Sequence, residues 1–210
     1  MSEVYRTVES RGEAAFEERG SRFIGHVFPA ESIATAEEFV AGIEDEYSDA
    51  THNVPAYRVR ADPLREYASD DGEPGGSAGK PALTVLKREE LENVVAVVTR
   101  YYGGTNLGVG GLARAYGRAV KAALGDTDVI ERRPSAHVTI RVEYDDSGTV
   151  RGILESTGLS FEASYEERVA FRVRVPAADI DALRERLLSA TSGRAEIAVE
   201  NDGEGGSNGP

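Results

Sequence analysis

Residues 100–120, RYYGGTNLGVGGLARAYGRAV, join a glycine-rich bend to the start of a basic helix pattern. Five glycines fall within nine residues, directly after Arg100, Tyr101 and Tyr102: Gly103, Gly104, Gly108, Gly110 and Gly111. Backbone N–H groups of such a bend can approach a ligand closely because glycine has no side chain. The N-terminus of a helix adds about half a positive elementary charge. The pattern therefore predicts a site for phosphate or another anion, although a tight strand-to-helix connection explains the same glycines.

Basic side chains follow on one face of this helix pattern. Arg114, Arg118 and Lys121 stand at positions i, i+4 and i+7. Residues 93–125 contain these three and Arg100 but no Asp or Glu, in a chain whose net charge is −13. Arginine makes charge-assisted contacts to phosphate oxygens, so we expect this segment to face RNA phosphate. The tyrosines before the bend can stack on bases or fill the core at a strand end.

Nucleotide motifs fit the bend only in part. Gly103 and Gly108 have the gap of a Walker A motif, but Val109 stands where that motif requires Lys. The pattern G-x-G-x-x-A at residues 108–113 starts well after the predicted strand end and lacks the later acidic residue. The bend is also similar to the phosphate loop of small-metabolite kinases. An enzyme or sensor for a small phosphorylated ligand is therefore the alternative function.

A second glycine-rich stretch, residues 69–80, has the composition of a loop. Its Asp70, Asp71 and Glu73 could hold a hard divalent cation through their oxygens. Alternatively, the two aspartates cap turns and Lys80 pairs with one of them. Residues 75–79 match G-x-S-x-G around Ser77, but the flanks lack the buried strand and immediate helix that a nucleophile elbow requires.

Composition narrows the class of protein. The 210 residues include 37 acidic and 24 basic side chains, 40% hydrophobic residues and no Cys. Thiolate chemistry and disulfides are thereby excluded, and His26, His52 and His137 share no ligand spacing, so we expect no metal site and no cofactor. Without an apolar run of about 18 residues or a secretory h-region, we expect a cytoplasmic protein with no membrane partner. The acidity suggests a high-salt habitat and argues against broad RNA binding.

The second half has the clearest element pattern. Strand-like alternation at residues 136–144, 159–167, 168–176 and 193–200 surrounds helical spacing at 145–157 and 177–191. This βαββαβ order predicts a ferredoxin-like domain.

The first half predicts a mixed domain. We expect strands at 12–19, 21–29, 54–61 and 93–102, the last apolar enough to be central, and helices at 32–48, 80–90 and 111–124. We expect residues 131–135, ERRPS, to form a hinge between the two halves. The fold class is therefore α+β, with domains at 1–134 and 135–200 and a disordered tail at 201–210.

Four segments together resemble the IMPACT family of the YigZ type: SRFIGHV, DATHNVPAYRV, SDDGEPGGSAGKPALTVL and VVAVVTRYYGGTNLGVGGLARAYG. The resemblance covers nearly the whole chain except the tail. It implies an N-terminal ribosomal-protein-type βαβ domain like domain IV of elongation factor G, and a ferredoxin-like C-terminal domain. It also implies translational regulation, with RNA, the ribosome, a translation factor or a regulatory protein as partner.

The resemblance places the functional surface on the two glycine-rich stretches and on His52, and implies no catalytic residue. The residues concerned, besides Arg100, Tyr101, Tyr102 and the glycines of the bend, are His52, Asp70, Asp71, Gly72, Glu73 and Lys80. Many relatives have Cys where Val54 stands here and Thr at Ser77, which argues against thiol or serine chemistry. We expect a translation-associated binding protein rather than an enzyme. The alternatives are a metal-assisted enzyme or sensor for a phosphorylated ligand, and an interaction scaffold without a small ligand.

Overall fold

The computed structural model describes residues 4–61 and 63–201, in which the four predicted strands of the first half and one short strand that was not predicted form one antiparallel sheet. The five strands lie in the order β2-β3-β6-β4-β5. They are β2 (Gly12–Glu18), β3 (Ser21–Pro29), β4 (His52–Val59), β5 (Arg65–Ala68) and β6 (Val94–Tyr101). The apolar strand β6 is central, as predicted.

Helices cover both faces of this sheet. They are α1 (Ile33–Glu46), α2 (Gly79–Arg88) and α3 (Val109–Leu124). Val94, Ala96 and Val98 of β6 share a core with α2 and α3, whereas Val95 belongs to the cluster that packs against α1. Because side chains alternate along a strand, Arg100 falls on the α2 and α3 side. The unit β3–α1–β4 confirms the βαβ prediction.

The second half confirms the ferredoxin-like prediction. Four antiparallel strands lie in the order β11-β8-β10-β9, and two helices connect them. The elements are β8 (Ser135–Val142), α4 (Tyr144–Thr157), β9 (Phe161–Tyr165), β10 (Val169–Pro176), α5 (Ile180–Ala190) and β11 (Glu196–Asn201). Val138, Ile140 and Phe171 are buried beneath the helices, while alternate residues of the same strands are exposed.

The sequence did not predict three short strands. One is β5, and the other two are β1 (Tyr5–Val8) and β7 (Val129–Arg132), which pair with each other from opposite ends of the first half of the chain. The predicted hinge at 131–135 therefore contains the end of β7 and the start of β8. Helix α3 begins at Val109, two residues before its predicted start at 111.

Residues 5–132 form one compact unit and residues 133–201 belong to the other, whereas the predicted boundary follows residue 134. The predicted disordered tail, apart from Asn201, lies outside the described residues. Over the described ranges, none of the helices combines the length and the apolar character that crossing a membrane requires.

Candidate functional site

The two glycine-rich stretches meet at one end of the first sheet. The strand register places His52, the first residue of β4, opposite Arg100 near the end of β6. The segment after β5 continues beside β4, where the N–H of Ser69 donates to the carbonyl of Pro55 at 3.1 Å. The topology therefore brings together the loop at 69–78, the end of β6 and the bend before α3.

A buried carboxylate lies at the centre of this sheet end. Glu73 Oε1 accepts hydrogen bonds from Arg100 Nη1 at 2.5 Å and from the Tyr116 hydroxyl at 2.7 Å. The His52 Nε2 atom lies 3.9 Å from the same oxygen. We call these four residues the Glu73 cluster. These partners are required because burying an unpaired carboxylate strongly destabilises the folded protein. Burial, followed by the bond to Glu73, raises the pKa of Tyr116.

Arg100 is engaged on several sides. Its Nη2 donates to Ser21 Oγ at 3.3 Å, and its guanidinium lies 5.5 Å from the Phe23 ring centroid and 5.2 Å from that of Tyr102. Only 4% of the residue is exposed. Its charge is thus directed at Glu73, so Arg100 positions Tyr102 and the bend instead of presenting a free cation at the surface.

Asp70 caps the start of α2. Its carboxylate accepts N–H bonds from Gly76 at 2.7 Å and from Ala78 and Gly79 at 2.9 Å. Burial opposes ionisation of this carboxyl, but the three N–H donors outweigh burial and lower its pKa. The prediction that this aspartate caps a turn is confirmed.

Asp71 holds the same loop against β4. Its carboxylate accepts the N–H of Asn53 at 2.6 Å, and its carbonyl accepts a hydrogen bond from His52 Nδ1 at 2.5 Å. Asp71 and Gly72 both have positive φ. Lys80 is exposed and forms no ion pair with the described residues, so the predicted pairing with an aspartate is absent.

Neither alternative chemistry of this loop has the geometry it needs. Within the described ranges, no group of three His, Asp or Glu side chains is arranged to hold a metal ion. Ser77 is fully buried and its Oγ has no hydrogen-bond partner among the described residues, whereas a nucleophile elbow exposes its serine.

The bend itself is tied at its start and exposed afterwards. The N–H of Tyr102 donates to Thr51 Oγ1 at 2.9 Å and that of Gly103 to Ser21 Oγ at 3.1 Å. A Cβ on Gly103 would collide with the Gly20 carbonyl, so this position requires glycine. Residues 104–106 are exposed. Gly108 precedes α3 with φ +69° and offers no side-chain cap, which leaves the first N–H groups of α3 without a capping acceptor.

The three predicted basic residues of α3 differ in their surroundings. Arg114 Nη1 lies 3.6 Å from the point that a Cβ on Gly110 would occupy, so this guanidinium reaches back over the first turn. The Arg118 guanidinium lies 4.1 Å from the Phe16 ring centroid and 3.8 Å from Glu18. Arg114 therefore lies at the bend, whereas Arg118 is engaged with β2, and Lys121 lies nearly one turn further on, exposed.

The two tyrosines before the bend do not fill the core. Tyr101 is half-buried and its hydroxyl donates to Asp49 at 2.7 Å. Tyr102 is 44% exposed and its hydroxyl donates to Asn106 at 3.2 Å. The ring of Tyr102 thus stands beside the exposed bend.

The sequence did not single out the partners that organise the site. These partners are Ser21, Thr51 and Tyr116. For Tyr116, the sequence offered one indication: it falls on the Ala-rich face of α3 that the pattern predicts to be buried. A buried tyrosine hydroxyl usually has a hydrogen-bond partner. Nothing in the local pattern distinguishes the serine or the threonine.

Comparisons with known proteins cover both units. The Impact N-terminal domain matches residues 19–124, and a domain of unknown function, DUF1949, matches residues 140–194. The chain is 38% identical over 198 residues to IMPACT family member YvyE of Bacillus subtilis, covering 94% of this chain and 91% of that protein. It is 34% identical to IMPACT family member YigZ of Escherichia coli, covering 86% and 90%. A crystal structure of a hypothetical protein, 31% identical, superposes with a TM-score of 0.73 over 94% of this chain and 97% of that chain.

Proposed function

This chain belongs to the IMPACT family, and we propose that it is a translation-associated regulatory protein that binds RNA phosphate at residues 103–110. One observation carries the proposal. Arg114 reaches back over the first turn of α3, where Gly108 leaves the backbone N–H groups uncapped. Uncapped N–H groups, the helix dipole and a guanidinium all favour an anion at the same place.

The surroundings favour RNA over a free phosphate. Tyr102 presents a half-exposed ring beside the bend, and bases stack on such rings without sequence preference. Arg114 and Lys121 place basic charge about 10 Å apart along the same helix, with Arg118, which contacts Glu18, between them. A ligand that carries both bases and successive phosphates uses all of these features.

The charge of the rest of the chain limits where RNA can bind. The net charge is −13, whereas residues 93–125 contain four basic and no acidic side chains. A polyanion is repelled by most of this surface and attracted at one place. Binding is therefore local and oriented.

Charge reversal at the bend tests the proposal. Fluorescence anisotropy with a labelled single-stranded RNA oligonucleotide should show about ten-fold weaker binding for Arg114→Glu, the size of one charge-assisted contact. The matched control is Arg65→Glu, another exposed arginine at the far end of β4 and β5, which should bind as the wild type does. Equal effects of the two variants, or none, would sink the proposal.

A second candidate function is a sensor of, or an enzyme for, a small phosphorylated ligand. The Glu73 cluster favours it, because His52 brings a half-buried ring to within 3.9 Å of a buried carboxylate beside the bend. A nucleotide that binds there would raise the melting temperature by mass action. Thermal-shift measurements with nucleotides, with and without magnesium, distinguish the two functions.

A further inference from the structure

A groove of about 260 Å³ lies between α1 and the strands β4 and β5. It is on the face of the sheet that packs against α1, whereas the Glu73 cluster is on the α2 and α3 side. Its walls are the exposed side of α1 and a pair of tyrosines on neighbouring strands. The residues that matter here are Glu37, Val40, Glu44, Tyr57, Tyr67 and Asp71.

The helix wall carries two carboxylates with an apolar residue between them. Glu37 and Glu44 are seven positions apart in α1, which places them two turns apart on one face, with Val40 between them. Both are exposed, and neither forms an ion pair with another described residue. Glu44 also stands in the last turn of α1, where the helix dipole disfavours a negative charge. A cation at this place would relieve that unfavourable charge.

The sheet wall is aromatic. Tyr57 and Tyr67 face each other across β4 and β5, with their rings stacked at a centroid distance of 5.0 Å. Tyr57 is buried, whereas Tyr67 is 46% exposed. The face of an aromatic ring attracts cations. Burial and then the nearby Glu37 carboxylate raise the pKa of Tyr57, in keeping with a negative potential at this wall.

The lining therefore combines three carboxylates, Asp71 being the third, with an exposed aromatic ring and no basic side chain. Its volume of about 260 Å³ is below the roughly 300–1,000 Å³ of small-molecule pockets. This size suits one long side chain better than a free nucleotide or metabolite.

We propose that this groove docks a basic segment of a partner protein, with one arginine or lysine side chain lying on Tyr67 between Glu37 and Glu44. Charge complementarity identifies the partner: every charged side chain of the lining is negative, and an arginine or lysine supplies both the cation for the ring and the stem that covers Val40. The groove attracts cations, whereas the proposed RNA site attracts anions. The docking proposal therefore does not rest on the RNA-binding proposal, and each is tested separately.

The probe for this proposal is a fluorescein-labelled peptide of four Gly-Arg repeats, followed by anisotropy at physiological salt. Glu37→Gln/Glu44→Gln should weaken binding about ten-fold, the combined effect of two charge contacts. The control Glu38→Gln/Asp45→Asn removes the same charge from exposed positions of the same helix outside the groove lining. It should change the affinity less than about two-fold.

A second pair of variants tests the aromatic wall without changing charge. Tyr67→Ser should weaken peptide binding several-fold through loss of the cation–π contact, while Tyr165→Ser, which removes a 53% exposed tyrosine from the second unit, should not. If both double variants weaken binding equally, the peptide senses only the overall acidity and the proposal is wrong. It is also wrong if Tyr67→Ser binds as tightly as the wild type.

Discussion

Glu73 and Arg100 form a buried ion pair at 2.5 Å, although 27 positions separate them along the chain. The pair joins the acidic loop to the end of β6, immediately before the bend. Because the two charges neutralise each other, the cluster anchors the bend without adding net charge to it. Anion binding at this sheet end must then depend on the backbone N–H groups and Arg114.

Removal of Glu73 should destabilise the protein strongly. Glu73→Ala leaves Arg100 buried without its anion and Tyr116 without its acceptor, which should lower the free energy of unfolding by about 3–5 kcal/mol. Urea unfolding followed by circular dichroism measures this. The control is Glu18→Ala, which breaks an exposed pair with Arg118 and should cost about 1 kcal/mol or less. Similar losses in both variants would contradict the structural role of the cluster.

The hydrogen bonds that Asp70 accepts at the start of α2 should make the free energy of unfolding decrease at low pH. Its folded-state pKa is lowered, so its contribution is complete above the ordinary value of 3.8 and is lost as pH falls through the folded-state pKa. Asp70→Asn should cost about 0.5–2 kcal/mol at neutral pH, and the difference from wild type should shrink below about pH 4. Urea midpoints measured across that range check this. A difference from wild type that stays constant between about pH 6 and pH 2 would contradict the capping role.

The buried His26 should make the free energy of unfolding depend on pH in a higher range than Asp70 does. Burial lowers its pKa from 6.5, and the Glu13 carboxylate, 3.2 Å from Nδ1, opposes this less strongly. The unfolded chain therefore takes up the proton first, and stability should fall as pH drops below about 6.5. His26→Gln should reduce that fall. An NMR titration midpoint of His26 at or above 6.5 would contradict the lowered pKa.

Long, regular elements could be predicted from sequence because their pattern is local. Strands β8 and β10 alternate apolar and polar residues over one buried face, and β6 is apolar from Val94 to Val98 because helices cover both of its faces. Strands β1 and β7 have four residues each and exist through pairing with each other. That pairing depends on the finished topology, so neither segment carries a signal of its own.

The candidate site likewise has features that the sequence could predict and features that depend on the folded structure. The glycine bend, the acidic loop and the arginines of α3 are visible as composition, and the sequence predicted the cap at Asp70. The sequence could not predict that Arg100 pairs with Glu73, because a basic residue in a pattern reveals a charge but not its partner. The partner follows from the register that sets His52 opposite Arg100.

Two glycines should respond oppositely to alanine. Gly103→Ala places a methyl group against the Gly20 carbonyl, and the resulting shift should cost about 1–3 kcal/mol and weaken RNA binding by displacing the bend. Gly42 lies within α1 with nothing within 4 Å of a Cβ, so Gly42→Ala should stabilise the helix by about 0.5–1 kcal/mol. Urea unfolding of both variants gives the comparison. A stabilising Gly103→Ala would contradict the close approach.

The salt dependence of RNA binding should count the phosphate contacts. For single strands, the slope of log Kobs against log salt is about −0.7 for each phosphate neutralised. Arg114→Gln should therefore reduce the slope by about 0.7. Arg118→Gln should change it less, since that guanidinium already lies 3.8 Å from Glu18 and over the Phe16 ring. Anisotropy titrations at several salt concentrations measure both slopes. Equal slopes for wild type and Arg114→Gln would mean that Arg114 neutralises no phosphate, and RNA would then have to bind elsewhere on the chain.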